Sequence, residues 1–177
     1  MRISKYLVLL LLAVALSIGP ALRTADSANT ELEAISGSVS GNVQKVGFRA
    51  MILKEAIEYN LAGSAKNNAD GTVQFSLQGD EDRIDHAVKT IGKGTKKSSN
   101  VKVSTSPTTV DANLNKFTVI GWTSTSRHIT NPYDLVFTLR AKDGTISKKE
   151  AKEVYHEILR KTLKDEDLNK LGDDDDD

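Results

Sequence analysis

Apolar positions in the first half of the chain follow two alternating periods, one typical of strands and one typical of helices. Residues 32–39 form a short, mostly extended segment. Over residues 50–61 the apolar side chains fall on one face of a helix and the charged ones on the other. Residues 72–78 alternate apolar and polar side chains, as half-buried strands do. The pattern predicts a strand, an amphipathic helix and a further strand, in that order.

Turn and cap residues divide the next stretch into a hairpin and a second helix. Residues 63–67 have the composition of a weak strand, and the turn at residues 68–71 connects them to the alternating segment that follows. Asp80 is a typical N-cap, and apolar residues then recur at helical spacing until Gly92. The sequence therefore predicts two strands joined by a tight turn, followed by an amphipathic helix.

Two further segments with strand character complete the central part of the chain. A lysine- and serine-rich link at residues 93–100 leads to residues 101–104, and a loop then leads to residues 117–122. The order of elements is β-α-β-β-α-β plus a last short strand. This order predicts an α+β, ferredoxin-like βαββαβ fold, in which two helices cover one face of a four-stranded antiparallel sheet.

The C-terminal part predicts one more strand and one more helix. Residues 134–140 alternate as a strand, and Ser147 and Glu150 have capping-box spacing. The helix that follows carries an apolar stripe formed by Val154, Tyr155, Ile158, Leu159, Thr162 and Leu163. Such a stripe has to be covered, and two alternatives stay open: the open face of the sheet, or a protein partner at this helix.

The two ends of the chain differ from the rest in composition. Arg2 and Lys5 precede the apolar run at residues 6–18, which is typical of a secretory signal peptide. The run is shorter than the ~20 residues of a membrane span, and an uncleaved membrane anchor is the alternative. The closing aspartates, residues 173–177, repel one another and predict disorder.

These patterns predict three regions, and with them a compartment. Residues 1–28 are a signal peptide, residues 29–123 a compact domain, and residues 124–177 an extension of strand, helix and acidic tail. The protein is expected to be secreted or periplasmic. Once the signal peptide is removed, no stable membrane partner is expected.

Composition excludes several classes of function. The 177 residues include 24 basic and 24 acidic side chains, so net charge offers no footprint for nucleic acid. Cysteine is absent, which excludes disulfides, thiolate catalysis and cysteine-bound metals. His128 and His156 have no partners at ligand spacing. We therefore expect no metal, no cofactor and no nucleic-acid partner.

The chemistry of the chain concentrates between the first strand and the first helix, at residues 41–49. A short loop that enters a helix N-terminus turns backbone N–H groups toward one point, where the helix dipole favours an anion. Arg49 adds a permanent charge whose planar fork grips two phosphate oxygens at once. The predicted phosphate-binding residues are Val43, Gln44, Lys45, Val46, Gly47 and Phe48.

This loop resembles the signature of the acylphosphatase family, G-x-V-Q-G-V-x-F-R, with Lys45 in place of the second glycine. Residues 63–73 resemble a second family element, G-x-x-x-N-x-x-x-G-x-V, and place its asparagine at Asn67. Two motifs in the proper order are far more specific than one. The resemblance covers residues 32–123 and implies the ferredoxin-like fold that the element order predicts independently.

The resemblance also implies a reaction, the hydrolysis of acyl phosphates to carboxylate and inorganic phosphate. In the implied site Arg49 and the loop amides hold the phosphoryl group, while Asn67 orients the attacking water, without metal or covalent intermediate. Lys45 allows two expectations. Its side chain resists a left-handed backbone, at about 1–2 kcal/mol, and shifts a loop amide; or it adds positive charge at the mouth of the site. The alternative function is an anion-binding or protein-interaction module with weak or no catalysis.

Overall fold

The computed structural model describes residues 32–172, so the predicted signal peptide at residues 1–28 and the aspartate run at residues 173–177 lie outside the described residues. The strands are β1 (Leu32–Asn42), β2 (Ala62–Asn67), β3 (Val73–Asp80), β4 (Ser99–Pro107), β5 (Lys116–Ser124) and β6 (Ile129–Thr138). The helices are α1 (Phe48–Tyr59), α2 (Glu81–Lys93), α3 (Lys148–Thr162) and α4 (Asp165–Leu168). In this part of the chain no helix combines the length and apolar character needed to cross a membrane.

The first four strands form the predicted ferredoxin-like arrangement. In the sheet order β4-β1-β3-β2-β5-β6, β1 lies between β3 and β4, and β3 lies between β1 and β2. All three of these pairs are antiparallel. The α+β, ferredoxin-like fold predicted from the order of elements is confirmed.

The sheet is nevertheless wider than the four antiparallel strands predicted. β5 pairs in parallel with β2, where Gly63 lies opposite Phe117 and Ala65 opposite Val119. β6 then pairs antiparallel with β5. The result is one six-stranded mixed sheet. An exposed edge of β2 would leave a row of unpaired backbone groups, and β5 satisfies them.

The three long helices cover the same face of this sheet. α2 packs on β3 and β4, α1 packs on the centre of the sheet, and α3 packs against α1 and β6. Tyr155 and Leu159 of α3 are buried in the same core as Phe117 and Leu135 of the two added strands. The apolar stripe of α3 is therefore covered within the chain. The alternative that α3 packs on the open face of the sheet is wrong. α3 instead covers the apolar residues that the two added strands place beside α1.

The predicted caps are present, and a short helix follows that the sequence did not indicate. The Asp80 side chain accepts a hydrogen bond from the Arg83 backbone N–H, 3.3 Å away, and Ser147 and Glu150 form the capping box of α3. α4 carries Asp167, which is buried and accepts a 2.7 Å hydrogen bond from the Tyr133 hydroxyl. This contact fastens the end of the described chain to β6.

Candidate active site

The loop between β1 and α1 is held in a left-handed shape at two positions. Lys45 has φ of 60° and Gly47 has φ of 73°. The left-handed backbone expected where the resembling motif has glycine is thus present, although a side chain there costs about 1–2 kcal/mol. Gly47 is the N-cap of α1, and α1 has neither a side-chain cap nor an acidic residue in its first turn. Its positive end is therefore available to an anion.

Gln44 holds the loop in place. Its Nε2 donates hydrogen bonds to the carbonyl oxygens of Asn68 and Thr72, at 2.8 Å and 2.9 Å. Both acceptors belong to the β2–β3 turn, which is itself closed by bonds from Thr72 to the Asp70 carboxylate. Because both amide hydrogens of Gln44 are used, its side chain fixes the loop against this turn.

Arg49 is fixed from the opposite side, by a bulge in β5. Its Nη1 donates to the carbonyl oxygens of Ile120 and Gly121, at 2.8 Å and 2.7 Å. The bulge lies where the β5–β6 register shifts between Val119 and Trp122, and Gly121 has φ of 61° there. Among the described residues Nε and Nη2 of Arg49 have no hydrogen-bond acceptor, which leaves one edge of the fork for a ligand. Burial lowers the pKa of Arg49, yet guanidinium groups stay charged in proteins.

Asn67 ends β2 beside the loop. Its Oδ1 is buried and has no hydrogen-bond partner among the described residues. A buried acceptor without a partner costs about 1–3 kcal/mol, and such atoms in native proteins usually contact a water or a ligand. The atom therefore offers a hydrogen-bond acceptor inside the site.

These groups line one cleft of about 170 Å³, together with all of residues 43–48. The predicted site residues are thus brought together, while their roles in catalysis remain predictions. Another wall, which the sequence did not indicate, is formed by the end of β5 and the connection to β6: Trp122, Thr123, Ser124, Thr125, Ser126 and Arg127. A run of hydroxyl residues ending in arginine was the only hint.

Positive charge dominates the cleft. Lys45, Arg49, Lys97 and Arg127 line it, and none of its described lining residues is a carboxylate. Lys97 belongs to the lysine- and serine-rich link at residues 93–100, and the structure places it in the lining of the cleft. Arg127 is positioned by a 3.0 Å hydrogen bond from its Nε to the Leu171 carbonyl oxygen. The cleft suits a small, doubly charged anion such as a phosphoryl group.

The next feature is the set of possible ligand groups in the part of the chain that the structure describes. No three His, Asp or Glu side chains group there in a way that holds a metal ion. The cleft instead offers backbone amides, guanidinium, ammonium and amide groups. These groups bind and orient anions and water.

Comparisons with known proteins agree with this geometry. The family model of acylphosphatase matches residues 35–119. The acylphosphatase of Chlorobaculum tepidum is 38% identical over 82 residues, which are 46% of this chain and 89% of that protein. That of Geobacillus kaustophilus is 46% identical over 57 residues, 32% of this chain and 61% of that protein.

The solved structure of the acylphosphatase from Bacillus subtilis is 31% identical in sequence. The match covers 49% of this chain and 96% of that chain, with a TM-score of 0.46. The family match ends within β5, so β6 and α3 lie beyond it. Over its β1–β5 region, the chain belongs to the acylphosphatase family of enzymes.

Proposed function

We propose that this protein hydrolyses acyl phosphates to a carboxylate and inorganic phosphate, with Arg49 and Asn67 as catalytic residues. One observation carries the proposal. The open edge of the Arg49 guanidinium and the unpartnered Oδ1 of Asn67 line the same carboxylate-free cleft, at an uncapped helix N-terminus. Family membership supports the same reaction.

In the proposed reaction the phosphoryl group lies on the loop between β1 and α1. Backbone N–H groups of residues 43–48 and the fork of Arg49 hold its oxygens, and this charge stabilisation increases as the bond to the leaving group lengthens. Acyl phosphates need little more, because their carboxylate is already a good leaving group. Positioning and electrostatics supply the rate, and no covalent intermediate is required.

The nucleophile is a water held by Asn67. The side-chain Oδ1 accepts a hydrogen bond from this water, which turns an oxygen lone pair toward phosphorus. The water oxygen bonds to phosphorus while the P–O bond to the acyl group breaks, and the electron pair of that bond leaves with the carboxylate. A phosphate oxygen of the substrate accepts the proton of the water.

The alternative function, an anion-binding or protein-interaction module with weak or no turnover, depends on whether Lys45 disturbs the loop. The Lys45 backbone is left-handed, and its exposed side chain lines the cleft. If this displaces a loop amide, phosphate still binds but the transition state loses a hydrogen bond. Removing one oxyanion donor typically lowers a rate about 10²–10³-fold.

Hydrolysis of benzoyl phosphate, with chelator present, tests the proposal. Arg49→Ala should abolish turnover and phosphate binding, whereas Arg160→Ala, which removes an exposed arginine from α3, should change neither. Asn67→Ala should lower kcat at least about 100-fold while phosphate affinity changes little. Unchanged turnover in Arg49→Ala would contradict the assignment, and phosphate binding without turnover in the unmodified protein would favour the binding module.

We also propose that residues 1–28 direct export of the protein, as their basic start and apolar run indicate. N-terminal sequencing of the protein recovered from outside the producing cell should then begin near residue 29. Recovery of the complete chain in the cytoplasm would contradict export.

A further inference from the structure

A second cavity, of about 400 Å³, lies beside the loop between β1 and α1, residues 43–48, which we call the phosphate loop. Its walls are α1, the link that follows α2, and the N-terminal half of α3. Apolar contacts come from Val46, Met51 and Ala151. Because α3 lies beyond the family match, the C-terminal extension builds one wall of this cavity.

The cavity carries an excess of positive charge in a chain that is neutral as a whole. Five lysines line it, against two glutamates. The lysines are Lys54, Lys96, Lys97, Lys148 and Lys152, and they come from α1, the link and α3. Cations converging from three elements on one concave space raise the local concentration of anions.

One of the two glutamates is buried in the wall. Glu55 is 6% exposed, and its Oε2 has no hydrogen-bond partner among the described residues. Burial and the neighbouring Glu58 raise the pKa of Glu55 to about 7, while Thr90, Lys148 from α3 and Lys93 from α2 oppose the shift. Near neutral pH a large fraction of this carboxyl is protonated and has a hydrogen to donate. A buried carboxyl oxygen without a hydrogen-bond partner, such as Oε2, usually contacts a ligand or a water.

The cavity and the active-site cleft meet at the phosphate loop. Val46, Gly47 and Lys97 line both spaces. A molecule whose phosphoryl group occupies the cleft can extend past these shared residues toward the cavity.

We propose that this cavity receives the acyl group of the substrate, and that the preferred acyl group has an apolar spacer ending in a second anionic group. The spacer contacts Met51 and Ala151, and the terminal anion lies among Lys148, Lys152 and the Glu55 carboxyl. This inference rests on the proposed function, since it names the substrate class of that same site.

Two non-hydrolysable probes test the inference by calorimetry on the full chain. Both are acylmethylphosphonates, in which a methylene replaces the bridging oxygen, with the same six-carbon acyl chain. One chain ends in a methyl group and the other in a carboxylate. We expect the carboxylated probe to bind about tenfold more tightly, which is the effect of one well-formed charged contact.

The lysine contribution is isolated by two variants of the same helix. In Lys148→Ala/Lys152→Ala the advantage of the carboxylated probe should fall below about threefold. Lys149→Ala removes a neighbouring exposed lysine that does not line the cavity, and it should keep the full advantage. Equal affinity for the two probes, or an equal loss in Lys149→Ala, would overturn the inference.

Hydrolysis of acetyl phosphate, whose acyl group has neither a spacer nor a second anionic group, separates this inference from the proposed function. Turnover of acetyl phosphate that is unchanged in the double variant, with the probe preference lost, supports both. Turnover without any probe preference overturns the inference alone. A probe preference without turnover overturns the proposed function but keeps the anion-binding cavity. Failure of both probes to bind, without turnover, overturns both.

Discussion

Lys45 replaces a glycine of the resembling motif and has a left-handed backbone, a conformation that glycine adopts readily. Where the motif has glycine, the lysine adopts φ of 60° and stays exposed at the rim of the cleft. The loop is left-handed at both Lys45 and Gly47. Between the two expectations for this residue, the retained shape favours a tolerated strain together with an added positive charge.

Lys45→Gly tests that interpretation. Glycine relieves the left-handed strain of about 1–2 kcal/mol but makes the unfolded chain more flexible, so we expect a net gain in unfolding free energy of about 0.5 kcal/mol. Loss of the charge should weaken phosphate binding roughly threefold, with kcat nearly unchanged. Chemical denaturation and calorimetry measure both effects. A tenfold rise in kcat would show instead that the lysine displaces a loop amide.

Glu55 is a buried acid whose ionisation opposes folding. Because its pKa is raised from 4.5 to about 7 in the folded protein, the folded state holds its proton more tightly than the unfolded state does. The stability that this proton confers is complete below pH 4.5 and is lost as pH rises through 7.

Glu55→Gln should remove this pH dependence. The variant cannot ionise, so its unfolding free energy relative to the unmodified protein should increase between pH 5 and pH 8 by about 2 kcal/mol. This figure is smaller than the full shift because the range begins above the unfolded pKa of 4.5. Urea denaturation at the two pH values measures the difference. A difference that stays constant across this range would show that Glu55 has an ordinary pKa.

At the scale of elements, local pattern predicted every long strand and helix. It did not predict where β5, β6 and α3 lie in the sheet and on it. Alternation and capping residues act within a few neighbours, so they reveal β6 and the capping box of α3. The parallel pairing of β5 with β2 joins residues such as Gly63 and Phe117, far apart in sequence. Such pairing depends on which sheet edge is vacant, and no local pattern records this. The four-residue α4 is too short to show a period.

Local sequence pattern likewise predicted only part of the candidate site. Motif spacing predicted the loop, Arg49 and Asn67 because each belongs to a short sequence motif, at residues 41–49 or 63–73. The double hydrogen bond of Gln44 to the β2–β3 turn joins residues 24 and 28 positions apart, and the wall at residues 122–127 reaches the cleft only through the fold. Those contacts follow from tertiary packing, which sequence spacing does not reveal.

α3 is part of the main core, so its loss should destabilise the entire domain. Leu159 is fully buried in the shared core, whereas Ile158 beside it is half-buried. Leu159→Ala should lower the unfolding free energy by about 2–4 kcal/mol, in a single transition. Ile158→Ala should have a smaller effect. Calorimetry that resolves two transitions, with only the first shifted, would show that the extension unfolds by itself.

At the scale of the whole molecule, one sheet carries both the family region and the C-terminal extension. The family region supplies the loop between β1 and α1 and Asn67. β6 and α3 complete the core, and α3 forms a wall of the adjoining cavity. Both regions pack on one face of one sheet, and this places the cavity next to the cleft. The extension is thereby in a position to select substrates without altering the reacting groups.

Hydrolysis of benzoyl phosphate in ¹⁸O-labelled water tests the central claim most directly. Turnover shows whether the protein is an acyl phosphate hydrolase, and the position of the label shows which atom the water attacks. The cleft of Arg49 and Asn67 predicts rapid turnover with the label in inorganic phosphate and none in benzoate. Label in benzoate, or no turnover above the uncatalysed rate, would contradict the account.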